Sequence, residues 1–323
     1  MHAYSNQHPL DRDEYTVSTP SIVRFVNVVK GWTEWKIRGG IVFGRSRAGK
    51  SNAIDYFRAN VREIYGHEVA TFAINCEKQR TPRERDFLTR FLTQIGHDVP
   101  SAGSNSDKTA RIVEYLHGEA LRCNDNRVIL FFDDVQWLHD THYDLMMVIY
   151  NDLESRGTRL FVVLVGQKQL LAKKEALRIA QKFQLVGRFM VNESEFFGIQ
   201  NIDDVKYILE RYDEFSEYPE GSKISFTHHY LPVAFENGWR LASLTKHIWG
   251  AFKRAREKAH IRGKLNIPMQ PFTAVVDGVL KDLHRRAPNG ANPLVTPQLL
   301  DDLIELAGYV GLENSNVATK VAR

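Results

Sequence analysis

The chain has 323 residues, enough to bury a large core and to divide into a larger and a smaller domain. A net charge of +4 and a pI near 8.9 permit contact with nucleic acid without demanding it. Cys76 and Cys123 lack metal-ligand spacing, no apolar run approaches the ~20 residues of a membrane span, and Met1 to Gln7 lacks signal-peptide character, so a soluble cytoplasmic protein with no membrane partner is expected.

Residues 1–20 are polar, contain Pro9 and Pro20, and read as a flexible arm. Ile22 to Lys36 carries apolar residues at helical spacing, and Gly39-Gly40-Ile41-Val42-Phe43 reads as a buried strand. Gly44-Arg45-Ser46-Arg47-Ala48-Gly49-Lys50-Ser51 follows, a complete G-x-x-x-x-G-K-S loop, and Asn52 to Val61 continues as an amphipathic helix. Glu68 to Asn75 reads as a second strand and Glu84 to Ile95 as a helix. Ser101 to Ser106 is a polar loop capping a helix from Asp107 to Cys123.

Arg127-Val128-Ile129-Leu130-Phe131-Phe132 is an unbroken apolar run of the kind a parallel strand buried on both faces requires, and it ends in Asp133 and Asp134. A helix from Thr141 to Glu154, a fourth strand from Arg159 to Val165 and a short fifth at Phe189 to Asn192 complete the series. Strands alternating with helices predict a doubly wound α/β fold around a parallel five-stranded sheet. The strand between the phosphate loop and the acidic strand marks the additional-strand branch of such NTPases. Beyond residue 198 the pattern turns helical, over Ile202 to Tyr212, Leu231 to Phe235, Leu241 to Ala259 and Pro297 to Tyr309. The predicted organisation is an arm at 1–20, an α/β nucleotide-binding domain at 21–198, a helical lid at 199–312 and a disordered tail at 313–323.

The loop's chemistry follows from its backbone. Amide groups from Gly44, Arg45, Ser46, Arg47, Ala48, Gly49, Lys50, Ser51 and Asn52, with the positive end of the following helix, cradle phosphates. Lys50 reaches the β- and γ-phosphates of ATP, and the Ser51 hydroxyl takes Mg2+. A glycine-rich turn without a ligand is the plainer alternative. Asp133 is the second metal group, and Asp134 stands where a general base would orient the attacking water. Asp134 is one methylene shorter than glutamate, so it must act through a shifted water or tolerate slower turnover. Both aspartates could instead serve as a helix N-cap.

Together these motifs resemble the AAA+ family, and within it the transposition regulators of the TnsC/TniB group, related to MuB, IstB and the secretion ATPase ExeA. The residues that carry the resemblance are Gly44 to Ser51, Leu130 to Asp134 with Gln136-Trp137-Leu138, and Leu164-Val165-Gly166-Gln167. Leu177-Arg178-Ile179-Ala180, Val186-Gly187-Arg188-Phe189 and Asn237-Gly238-Trp239-Arg240 complete them, so that it spans roughly residues 20–265. The resemblance implies an AAA+ P-loop ATPase with a C-terminal helical lid. Gln167 would be the first sensor, or a cap or loop residue. Arg188, slightly favoured, or Arg178 would be an arginine finger reaching a neighbouring subunit, and Arg240 a second sensor; a solvated arginine is the alternative for each.

A finger supplied in trans implies that ATP promotes assembly and hydrolysis promotes disassembly. The implied assembly is a ring or helix of roughly six or seven subunits per turn. The implied partners are double-stranded DNA, a target selector of the TniQ/TnsD type and a transposase of the TnsB type. A signalling NTPase switch, a loader or secretion ATPase acting on proteins, and a nucleotide-stabilised scaffold without turnover are the rival readings.

In such ATPases the pore is lined by loops and helices after the second strand. Here that region supplies Lys78, Arg80, Arg83 and Arg85, then Lys108, Thr109 and Arg111, which is phosphate-contacting chemistry. A solvated helix start paired with Glu84 and Asp86 is the alternative. Trp239 to Lys264 is a second basic region, with eight lysines and arginines against Glu257 alone; DNA, an acidic partner or solvent could face it. Phe25, Trp32 and Trp35 are expected in the core rather than on adenine.

Overall fold

In the computed structural model residues 7–286 and 289–321 are described. The chain opens with a single turn, α1 (Pro9–Arg12), and then α2 (Pro20–Glu34), whose start is fixed by the Thr19 hydroxyl accepting from the Ile22 amide at 3.1 Å. β1 (Gly39–Gly44) runs into the phosphate loop, which opens α3 (Lys50–Ala59) and the short α4 (Val61–Tyr65). β2 (Ala70–Asn75) is followed by α5 (Glu84–Gln94) and α6 (Asn105–Arg122), the latter started by a capping box in which Ser104 and Asp107 satisfy each other's backbone amides. β3 (Arg127–Asp133), α7 (Asp140–Ser155) and β4 (Arg159–Gly166) come next, then α8 (Gln169–Ile179), α9 (Phe183–Phe189) and β5 (Asn192–Phe196).

All five strands are parallel, in the order β2-β3-β4-β1-β5. β3 shows why its sequence is apolar throughout. Phe131 packs against Phe25 and Phe57 on one face of the sheet, and Phe132 against Phe87 and Phe91 on the other. A strand covered on both faces has no side on which a polar residue is tolerated. The chain thus has the α/β AAA+ P-loop NTPase fold, a five-stranded parallel sheet flanked by helices, with further helices following it in sequence.

Those helices are α10 (Ile202–Glu214), α11 (Phe226–Tyr230), α12 (Pro232–Glu236), α13 (Thr245–Lys258), α14 (Met269–Arg286), α15 (Pro297–Leu306) and α16 (Tyr309–Val321). The chain divides into two compact bodies, one formed by residues 24–46 and 50–196, the other by 1–23, 47–49 and 197–323. The core of the second includes Ile208 and Tyr212 of α10, Phe252 of α13, Val276 and Leu280 of α14, and Ile304 of α15.

Several elements differ from the sequence expectations. Residues 8–20 are not a loose arm: Leu10 and Val17 are buried in the second core, and the Tyr15 hydroxyl donates to Asp277 at 2.6 Å and lies 2.6 Å from the Tyr212 hydroxyl. Residues 1–6 of that arm lie outside the described residues, as do 322–323 of the tail. The segment from Glu313 is helical to Val321 instead of disordered, and Glu313 is 1% exposed because its carboxylate pairs with Arg256 at 2.8 Å.

The fifth strand lies at Asn192–Phe196, with Phe189 ending a helix, since β1 needs an edge partner for residues Gly40 to Gly44 and that register selects the later segment. The expectations omit α14, although its buried Phe272, Val275, Val276, Val279 and Leu283 recur at helical spacing. Leu241 to Leu244 form a 3₁₀ turn before α13. Phe25 is core, whereas Trp35 is 81% exposed.

Candidate nucleotide site and basic surface

The parallel registers bring the C-terminal ends of three strands together: Phe43 of β1 lies beside Gly166 of β4, and Phe132 of β3 beside Leu164 of β4. In open α/β sheets that edge is where ligands bind. From it the phosphate loop departs with Arg47 at φ 61° and Gly49 at φ 102°, two left-handed turns that curl the backbone so that successive amides face inward. Gly49 is required there, because a side chain at that dihedral would be strained.

Lys50 is buried, and its ammonium donates to the carbonyls of Gly44 at 3.2 Å and Arg45 at 2.7 Å. Burial lowers its pKa, outweighing the opposite pull of the charges on Asp133 and Asp134. The Ser51 hydroxyl donates to Asp133 Oδ2 at 2.5 Å, and Asp133 Oδ1 accepts from the Asp134 amide at 2.9 Å. Burial raises the Asp133 pKa; the Ser51 and Asp134 bonds oppose that, and the Asp134 charge adds to it. Both buried groups therefore carry a desolvation cost that their neighbours offset only in part: the ammonium rests on two carbonyls near Asp133 and Asp134, and the carboxylate accepts from a hydroxyl and one amide.

This donor set fits a phosphate chain with a hard divalent cation. Mg2+ takes one or two protein oxygens and draws the rest of its shell from phosphates and water. Among the described residues no cluster of three or more histidines, cysteines or acids forms a self-sufficient metal cage. Ser51 and Asp133, joined by a hydrogen bond, are the two residues that could hold such a cation.

Asp134, at the end of β3, has φ 52° and an exposed side chain, so the chain turns sharply after the acidic strand. Its Oδ1 accepts from Gln136 at 2.8 Å. Gln167 follows β4, and its amide donates to the Gln136 side chain at 3.2 Å. The structure thus brings Lys50, Ser51, Asp133, Asp134 and Gln167 to one sheet edge, together with Gln136, to which sequence reading gave no role. Gly44, Ala48 and Gly49 are enclosed or half-buried along the loop, and Ser46, Arg47 and Asn52 are exposed.

Each of the three arginines has local partners. Arg178 pairs with Glu175 one turn back on α8 at 2.9 Å. Arg188 donates to Asn151 Oδ1 at 3.0 Å, with its guanidinium 4.6 Å from the Tyr150 ring centre. Arg240 donates to the carbonyls of Phe235 and Trp239 at 2.8 Å each and stacks on the Phe235 ring at 3.6 Å.

The basic surface divides into two sets. Lys108 is fully buried with its ammonium on the Pro100 carbonyl, and Arg111 donates to the carbonyls of Val99 and Ala102. Arg85 donates to the Gly103 and Ser101 carbonyls at 3.1 and 3.2 Å, and Thr109 to Asn105 O at 3.0 Å. Arg85, Lys108 and Arg111 hold the loop between α5 and α6 in shape, while the Thr109 bond lies within α6. Lys78, Arg80 and Arg83 are exposed, with the Lys78 ammonium 5.5 Å from the Trp137 ring centre. The basic run on α13 is partly neutralised: Arg254 and Lys258 share Asp301, and Arg256 takes Glu313.

Loop, acidic strand and strand order together define the AAA+ P-loop NTPase fold. Residues 38–173 match the family model described as the AAA domain, and with the fold this marks the chain as an ATPase. The ORC2 protein of Aeropyrum pernix in its ADP form is similar in fold, with TM-score 0.54 at 14% identity over 93% of this chain and 70% of that one. Its ADPNP–ADP complexes give 0.51 at 13% identity over 93% and 72%. CDC6P of Pyrobaculum aerophilum gives 0.41 at 14% identity over 90% and 87%. No curated protein matches the sequence. No helix among the described residues is long and apolar enough to cross a membrane.

Proposed function

We propose that the chain is an ATP-dependent AAA+ regulator of DNA transposition that oligomerises on double-stranded DNA and couples target selection to a transposase. The observation that carries the ATP switch is the Ser51–Asp133 pair beside the buried Lys50, a ready set of ligands for a nucleotide and its Mg2+. The ORC2 protein of similar fold was solved with ADPNP and ADP, which supports the nucleotide. The transposition role rests on the resemblance of the motifs to the TnsC/TniB group, with a TniQ/TnsD-type selector and a TnsB-type transposase as partners.

In this reading Lys50 would neutralise the β- and γ-phosphates, while Ser51 and Asp133 would hold the cation. Bound Mg·ATP supplies a polarised terminal phosphoryl group. Asp134 orients the attacking water and accepts its proton; its short side chain makes hydrolysis slow. Gln167 senses the γ-phosphate, and Arg188 or Arg178 of one subunit completes the site of the next, so that turnover depends on assembly. Arg240 acts as the lid's sensor. Exposed Lys78, Arg80 and Arg83 contact the DNA backbone without reading bases, while Arg85, Lys108 and Arg111 shape the adjoining loop.

Negative-stain imaging with a matched pelleting assay tests this, using a non-hydrolysable ATP analogue with and without a plain duplex. Rings or filaments that need both ligands and vanish in Lys50→Ala are expected. A monomer indifferent to DNA in every nucleotide state would sink the transposition reading and leave a signalling or protein-loading ATPase.

A further inference from the structure

Asp134 leaves β3 in a left-handed conformation, and a tight turn follows it. The Trp137 amide donates to Asp134 O at 3.1 Å and the Leu138 amide to Val135 O at 3.0 Å. Val135 and Leu138 are buried, so the turn is anchored from below while Gln136 faces the sheet edge. Its amide nitrogen donates to Asp134 Oδ1 at 2.8 Å, and its carbonyl oxygen accepts from the Gln167 amide at 3.2 Å. The opposite amide orientation would set NH2 against N–H and carbonyl against carboxylate, so the chemistry of the two partners fixes it.

The end of β4 is shaped for this side chain. A Cβ on Gly166 would lie 2.7 Å from Gln136 Oε1, too close for both to remain in place. The one residue type without a Cβ stands where the carboxamide needs to sit.

From this geometry we infer that Gln136 is a positioning residue for hydrolysis: it aims the Asp134 carboxylate and ties it to the end of β4. Because its carbonyl grips the Gln167 backbone, the aspartate and the end of β4 move as one. Nucleotide-dependent displacement at Gln167 is thereby relayed to the water-orienting carboxylate. The inference rests on the reading of Asp134 as the base.

The test compares Asp134→Asn, Gln136→Ala, Gln136→Glu and the Asp134→Asn/Gln136→Ala double variant in steady-state ATP turnover and in binding of a fluorescent ATP analogue. Gln136→Ala is expected to lower kcat by about ten- to a hundredfold with KM and nucleotide Kd unchanged. Gln136→Glu keeps an acceptor for the Gln167 amide but sets a carboxylate against Asp134, so it should lose as much; a merely structural tie to β4 would tolerate it. The double variant should be no slower than Asp134→Asn alone, because the two residues act as one unit.

Unchanged kcat in Gln136→Ala, restored kcat in Gln136→Glu, or multiplying losses in the double variant would overturn the role of Gln136 and leave Asp134 untouched. Full turnover in Asp134→Asn would instead overturn the base itself. If Gln136→Ala unfolds, Gly166→Ala displaces the same carboxamide by one methyl group. Wild-type kcat there would overturn the proposal.

Discussion

Lys50 is the residue on which nucleotide binding should turn. Its ammonium now rests on two backbone carbonyls. Lys50→Ala is expected to weaken ATP binding by at least about tenfold, as isothermal titration would show, since a desolvated ion–phosphate contact contributes at least roughly 1.4 kcal/mol. The phosphate loop and the two aspartates were legible in the sequence because each is a local arrangement: fixed spacing, a strand before, a helix after. Gln136 was not, because its partner is the amide of Gln167, 31 residues away, and only the β4 register brings them together.

A second residue makes a pH prediction. Burial raises the Asp277 pKa to about 7, with the Tyr15 and Tyr212 hydroxyls and Lys281 opposing. A carboxyl whose folded pKa lies above its unfolded value contributes stability below the unfolded pKa and loses it as pH rises through the folded one. Stability should therefore fall between about pH 4 and pH 7 by up to about 4 kcal/mol from this group. Asp277→Asn should flatten that part of a melting-temperature profile, and an unchanged slope would refute it.

At the scale of elements, α13 and α16 are joined by a buried ion pair. Arg256 and Glu313 are 6% and 1% exposed, and Arg256 also donates to the carbonyls of Arg262 at 3.0 Å and Gly263 at 3.2 Å. Glu313→Ala strands a buried guanidinium and should lower unfolding free energy by about 3–5 kcal/mol in urea titration. Arg256→Met with Glu313→Leu should recover most of it. The sequence signals read well where one face is apolar and a cap starts the helix, as at Ser104 and Asn201. They failed at Glu313 because a polar segment looks disordered until its counter-ion, 57 residues earlier, is known.

For the molecule as a whole, charge is less evenly available than composition suggests. Asp301 and Glu313 absorb much of α13, and backbone carbonyls absorb Arg85, Lys108 and Arg111. Exchanging Lys78, Arg80 and Arg83 for alanine together should reduce the slope of log affinity against log salt by about 2–3 for duplex DNA, at ~0.9 for each phosphate no longer neutralised. Lys108→Ala should instead lower thermal stability and leave that slope alone. The order β2-β3-β4-β1-β5 was legible only through the branch that the strand between the phosphate loop and the acidic strand marks, since strand neighbours are a matter of crossover geometry and not of any segment's own residues.

The docking of Tyr15 against Asp277 sets an order of events during synthesis. The two are 262 residues apart, and at roughly 5–20 residues per second the ribosome takes about 13–50 s to deliver the second after the first. Over that interval the whole α/β segment emerges, while Leu10, Tyr15 and Val17 await the helices that bury them. The nascent chain therefore carries an exposed apolar stretch around Leu10, Tyr15 and Val17 until α14 has emerged, and that stretch is one a ribosome-associated chaperone can bind.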